Sequence, residues 1–204
     1  MATKMKQEAQ GKQTQIIEAA IKRFSHFGIH KTTLSEIAED LSMFKQALSY
    51  YYPDKQSIVG ATEDKILDDY KKELSKVLAE ASSVKSALLG LLKIKRSFFE
   101  KYFMLTSEKD GIELFANKGA VDWRRTLKEE EIKLLSPVLE KGVKSGELKP
   151  LDSVYTSQLL LDTLYAFRKC MEDKPIPNAS SFHKVFGKQL EITELFYNGL
   201  KTPT

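Results

Sequence analysis

The 204-residue chain has one cysteine, Cys170, so an intrachain disulfide is excluded and so is a thiolate metal cluster. In an apolar helical stretch, that lone thiol reads as a small buried hydrophobe. No stretch reaches the roughly 18 uninterrupted apolar residues that a membrane span requires. The polar, lysine-containing residues 1–11 carry no apolar run that would serve as a secretory signal. A cytoplasmic protein is therefore expected. Charge of one sign is not concentrated either. The net charge is +4; residues 1–58 hold eight Lys/Arg against six Asp/Glu, a balance of +2, which leaves +2 for the remainder. Composition thus permits nucleic-acid binding without arguing for it, and any such case rests on where residues fall.

Chemistry-bearing clusters are scarce as well. His26 and His30 are four apart, the spacing of a helix-borne metal pair, but Gly28 interrupts them and no third ligand lies near, so no metal site is expected. His183 is isolated. No phosphate-cradling glycine loop, nucleophile elbow or acid–base pair is recognisable. An enzyme is not expected, and no cofactor is implied.

What the chain does have is helical periodicity almost throughout, with no alternation of strand length. Its 42% hydrophobic and 29% charged residues suit an ordinary globular core. From Gln13 to Phe27, Ile16, Ala19, Ala20, Phe24 and Phe27 recur at spacings of three and four, and Gly28 ends the run. Thr33-Leu34-Ser35-Glu36 reads as a capping box opening a short second helix. A turn near Ser42-Met43 leads to a third, roughly Phe44 to Tyr51. Asp54 then caps a long helix to about Ala79. Further helices are expected over 84–103, 108–117, 122–145 (kinked at Pro137), 152–172 and 181–200. The fold class is all-α, with about nine helices in two domains: residues 10–58 and 59–204.

Two short helices joined by a tight turn, with a longer helix before them, make a helix-turn-helix, whose second short helix enters the DNA major groove. Along Phe44 to Tyr51, Leu48 and then Tyr52 face the small core. Lys45, Gln46, Ser49 and Tyr50 face outward, where lysine suits guanine acceptors and glutamine pairs with adenine. Tyr51, Lys55 and Thr33 are placed for phosphate contact, the last two at helix starts that favour anions.

The segment Ile16-Ile17-Glu18-Ala19-Ala20, Phe24, Gly28, Thr32-Thr33, Ile37-Ala38, Leu48, Tyr51-Tyr52, Lys55, Ile58 resembles the TetR family of bacterial regulators, in order and without gaps. Residues 140–151, with Gly142, Gly146 and Glu147, resemble the end of that family's central helix. The resemblance implies a homodimer bound to double-stranded DNA with two half-sites. It also implies a cavity for a small-molecule effector whose binding releases DNA. Three residues depart from the pattern. Ser42 stands where a glycine is usual, predicting a looser turn or a longer second helix. Phe44 replaces a small polar residue, and Ser49 replaces a tyrosine.

Among the aromatic residues of the middle region, Phe98, Tyr102, Phe115, Trp123 and Tyr165 are the candidate pocket residues. Lys95 and Arg168, each amid apolar neighbours, are expected to snorkel to solvent. The last two helices are apolar around much of their circumference, so a second buried face is expected. Leu160, Leu164, Phe186 and Leu195 are assigned there to a dimer interface. Two other readings of the same helices are an enzyme on an inherited fold and a protein-interaction module that lost its operator.

Overall fold

The computed structural model describes residues 2–102, 119–171 and 179–203. The helix expected over 108–117 and the pocket candidate Phe115 lie outside these residues, as does the proline-containing segment 174–178. Only the backbone is described for Trp123, Arg168 and Cys170.

Eight helices occupy the described residues, with no strand among them beyond an isolated bridge between Leu148 and Lys201. They are α1 (Ala2–Phe27), α2 (Leu34–Asp40), α3 (Lys45–Tyr51), α4 (Lys55–Glu80), α5 (Val84–Lys101), α6 (Gly119–Lys144), α7 (Ser153–Met171) and α8 (Ala179–Leu200). α1 begins eleven residues before Gln13, the expected start. Residues 2–12 lack an apolar stripe, which is why periodicity missed them. They are nonetheless rich in Ala, Lys, Gln and Glu, strong helix formers that need no packing to favour the helix. α6 likewise begins earlier than expected and continues through Pro137. No described helix is long and apolar enough to cross a membrane.

The chain divides into two compact units. The first runs to Asp68 and includes Lys101 and Tyr102; the second holds residues 69–100 and the described residues from 119 onward. The boundary at 68/69 falls within α4, ten residues beyond the 58/59 boundary read from the sequence.

In the first unit the apolar stripe of α1, Ile16, Ala20 and Phe24, is fully buried with Ile37 of α2, Leu48 of α3 and Ile58 of α4. Gly28 ends α1 at φ 81°, a left-handed conformation that glycine adopts without Cβ strain. Arg23 ties α1 to α2: its Nε and Nη2 donate to the Asp40 carboxylate at 2.6 and 2.9 Å, and Nη1 lies 3.3 Å from Glu36. This bidentate geometry fixes the orientation of the pair.

The second unit is built on a larger core. Tyr70, Leu74 and Leu78 of α4 pack with Leu88, Leu91 and Leu92 of α5, Leu135 and Leu139 of α6, Leu160, Leu161 and Leu164 of α7, and Phe186 of α8. Glu147, just beyond the end of α6, accepts the backbone N–H of Val84 at 2.9 Å and the Tyr197 hydroxyl at 3.1 Å. Its carboxylate thus satisfies the free amides at the start of α5. Gly142 allows that close approach, since a Cβ there would run into the Val84 side chain.

Candidate functional site

The turn between α2 and α3 decides whether the two short helices form a working motif. α2 is started by Thr33, whose hydroxyl accepts the Glu36 N–H at 3.3 Å while the Glu36 carboxylate accepts the Thr33 N–H at 2.7 Å. It ends at Asp40. Ser42 N–H then donates to Glu39 O at 2.9 Å, and Met43 N–H to Ala38 O at 2.9 Å. These are the paired bonds of a Schellman turn, which needs a left-handed residue at the position Ser42 occupies. Ser42 has φ 51°. The turn is therefore as tight as a glycine would make it, and the expectation of a looser turn or a longer α2 is corrected. Two backbone hydrogen bonds and the burial of the flanking helices hold a serine where local sterics disfavour it by about 1–2 kcal/mol.

α3 is anchored by Leu48, fully buried, with Tyr52 behind it. Opposite them Lys45, Gln46, Ala47 and Tyr50 are exposed, whereas Ser49 and Tyr51 are half-buried. Tyr50 and Tyr51 meet edge to face, centroids 5.3 Å apart. The outward row expected from the sequence is thus brought together at Lys45, Gln46 and Tyr50, with Ser49 partly withdrawn.

The phosphate candidates fare differently. Thr33 donates both its N–H and its hydroxyl to Glu36 Oε2, at 2.7 and 2.8 Å, and these bonds hold the Glu36 carboxyl below its ordinary pKa. A phosphate arriving there meets an acid already in place. Asp54 does the same at the start of α4, accepting the Ser57 N–H at 2.7 Å. Lys55 is half-buried, its Nζ donating to His30 O at 3.3 Å, and burial lowers its pKa. It contributes charge rather than a vacant helix end.

In the second unit a polar cluster sits inside the apolar core. The side chain of Glu131 on α6 has no exposed surface. Its Oε1 accepts from Lys95 Nζ at 2.5 Å and from the Tyr70 hydroxyl, and its Oε2 accepts from the Tyr165 hydroxyl at 3.0 Å. Lys95 Nζ also lies 4.4 Å from the centre of the Tyr165 ring. Burial, then the nearby carboxylate, pushes the Tyr70 hydroxyl well above its ordinary pKa. Lys95 therefore does not snorkel, because a buried acid claims its charge. Of the pocket candidates, Tyr165 is part of this cluster and Phe98 packs edge to face on Tyr70 at 5.1 Å. Tyr102 belongs to the first unit, under the Lys101 ammonium. Glu131 was not singled out by the sequence. It sits within the charged run Lys128-Glu129-Glu130-Glu131, which reads as a solvated face, and only its spacing of four before the core residue Leu135 marks it.

The interface candidates also need correction. Leu160, Leu164 and Phe186 are buried in the chain's own core, whereas Leu195 is 73% exposed. The second apolar face of α7 is carried instead by Tyr155 and Leu159, 64% and 46% exposed, continued by Thr163 and Ala166 along one helical stripe.

A short helix exposing Lys45 and Gln46, held by a Schellman turn to a capped helix and buttressed by a third, has the form of a helix-turn-helix motif. Residues 16–62 match the family described as bacterial regulatory proteins, tetR family. Over this N-terminal segment the chain is similar to that family. It is 29% identical over 145 residues to the HTH-type transcriptional regulator RutR of Escherichia coli (strain K12), a match covering 69% of this chain and 66%, just under two thirds, of that relative. It is 21% identical to the HTH-type transcriptional repressor KstR2 of Mycolicibacterium smegmatis, over 81% of this chain and 82% of the relative. The crystal structure of a transcriptional regulator from Cytophaga hutchinsonii shares the fold, with a TM-score of 0.83 at 24% identity, over 94% of this chain and all of that one.

Proposed function

We propose that the protein binds operator DNA as a homodimer, placing α3 of each protomer in the major groove of one half-site, and that a small molecule bound in the second unit releases it. The observation that carries this reading is the face of α3: Lys45, Gln46 and Tyr50 turned to solvent on a helix that Leu48 pins from behind. Lysine and glutamine are donors matched to purine edges, and the tight turn presents them as a rigid unit.

Dimerisation is supported by the exposed apolar residues Tyr155 and Leu159 on α7 and Leu195 on α8. Covering them against a second copy gives a two-fold dimer, whose symmetry suits an operator with two half-sites. Effector recognition is assigned to the surroundings of Glu131. A buried ion pair is an expensive substitute for apolar packing, and convergent polar groups in an apolar setting are what orient a small ligand. Repression is the mode favoured, in line with the KstR2 relative, which is a transcriptional repressor.

The test is a gel shift on genomic fragments of the source organism over a range of salt. Sequence-preferring binding with a steep salt dependence supports the reading. Equal binding to every fragment, or none, overturns it.

A further inference from the structure

α3 is capped by Phe44, which sits in extended conformation at φ −73°, ψ 144° and makes no side-chain cap hydrogen bond. Serine, threonine, aspartate or asparagine at that position would satisfy a free amide of the helix; phenylalanine satisfies none. Nor does it serve the core, for its side chain is 83% exposed. Neither local helix stability nor packing of the unit accounts for the residue. Ala47 and Tyr50 follow it at intervals of three, both exposed, and Tyr50 is 84% exposed. The three form a single row along the ridge of the helix, flanked by Lys45 and Gln46. An apolar row of this kind on the surface of a small helical unit marks a contact with something outside it.

The neighbours indicate what that is. Residues at the leading end of a recognition helix approach base edges. There the apolar group is the 5-methyl of thymine, which phenylalanine and alanine side chains contact directly. We propose that Phe44, with Ala47 beside it, is a specificity-determining residue that reads thymine methyls in the half-site, while Lys45 and Gln46 read purine edges next to them. This rests on α3 being the recognition helix. The ring and the methyl cover one another from water, so T·A is favoured over C·G at that step without any hydrogen bond being made. Phe44, which breaks the family pattern, thereby becomes a reader of sequence.

The probe is a duplex enriched from a random-sequence library by the purified full-length protein, with each thymine replaced in turn by deoxyuridine. That exchange deletes one methyl and leaves every hydrogen-bonding edge intact. Affinity of the unmodified protein should fall about fourfold at one or two thymines per half-site, the effect of one methyl-sized group lost from a buried contact. Phe44→Ala should bind the parent duplex more weakly and show no further loss at those thymines; Phe44→Leu should recover part of the difference. Gln46→Ala should lose affinity yet keep the thymine–deoxyuridine ratio. Because Phe44 is exposed, the thermal midpoint of Phe44→Ala should stay within a degree or two of the parent protein, which separates a reading defect from misfolding. If the ratios persist in Phe44→Ala, or if that variant binds the parent duplex as tightly as the unmodified protein, the proposal is wrong and the ring meets something other than DNA. Failure of the library to enrich any sequence would overturn the recognition-helix reading itself, and this inference with it.

Discussion

Lys95 Nζ lies 2.5 Å from Glu131 Oε1, in an ion pair whose acid is wholly removed from solvent while the lysine keeps 19% of its side-chain surface. The two are joined by the hydroxyls of Tyr70 and Tyr165, so that the Glu131 carboxylate has partners on both oxygens. A charge placed so deep is tolerable only while its partners remain.

Removing one partner should therefore cost more than removing both. Lys95→Met is expected to destabilise the protein by about 3–5 kcal/mol, since it strands a buried carboxylate. The double variant Lys95→Met/Glu131→Gln should recover a large part of that loss. Urea denaturation of the set measures the coupling. If the double variant is as unstable as the sum of the singles, the pair contributes no coupling and the cluster is not acting as a unit.

Ser42 predicts the opposite sign. Its φ of 51° is one that glycine adopts freely, so Ser42→Gly relieves about 1–2 kcal/mol of backbone strain against about 0.4–1 kcal/mol of added unfolded-chain entropy, for a net stabilisation of up to about 1 kcal/mol. DNA affinity should change by less than about twofold, because the turn already has the geometry that glycine would give it. A fall in stability on chemical denaturation would show that the serine hydroxyl, not the backbone, matters there.

On α3 and the start of α4, base contacts and phosphate contacts separate by their salt response. Lys45→Ala or Gln46→Ala should cost about 1–3 kcal/mol on the preferred duplex and little on unrelated DNA. Lys55→Ala should weaken binding to all duplexes and reduce the salt slope by about one unit. Fluorescence-anisotropy titrations at several salt concentrations read both, and an unchanged slope removes Lys55 from the contact set.

For the dimer, burial distinguishes two leucines that the sequence grouped together. Leu195→Glu, at a position 73% exposed, should give folded monomers that no longer hold a two-half-site duplex. Leu160→Glu, at a fully buried position, should instead unfold the second unit, because an unpaired charge has no place in an apolar core. Sedimentation and circular dichroism together tell these outcomes apart. A Leu195→Glu protein that still sediments as a dimer would contradict the assignment.

Glu63 supplies the pH dependence. Burial, reinforced by the neighbouring Asp64 carboxylate, raises its pKa from 4.5 to about 7. The folded state then holds this proton more tightly than the unfolded chain does. Its contribution to stability is full below pH 4.5, declines as pH rises through the window up to about 7, and is gone above it. Glu63→Gln should remove this slope and be the more stable protein at pH 8 relative to its parent at the same pH. Denaturation midpoints of both proteins across pH 4–8 provide the comparison, and parallel curves would refute the shift.

Much of the first unit was written in the sequence because its signals are local. The stripe Ile16, Ala20, Phe24, the Thr33–Glu36 box and the Asp54 cap each concern residues three or four apart on one helix, and such spacing maps directly onto geometry. The same holds for Lys45, Gln46 and Tyr50, whose outward direction follows once Leu48 is known to face in. Family resemblance over the same stretch had a local basis too.

What the sequence could not decide are relations between residues far apart in the chain. Nothing around Lys95 shows that its counter-charge is Glu131, 36 positions away, or that Tyr70 and Tyr165 complete the set. Leu160 and Leu195 look alike by hydropathy, yet one is sealed in the core and the other faces solvent, because burial depends on which helix packs on which face. Ser42 offered the choice of a loose turn or a longer helix. The flanking helices settled it by burying Ile37, Ala38 and Leu48, which forces the backbone between them through a conformation that serine alone does not favour. Local pattern determined the helices and the face α3 presents; packing between distant segments decided which charges, turns and leucines carry a cost.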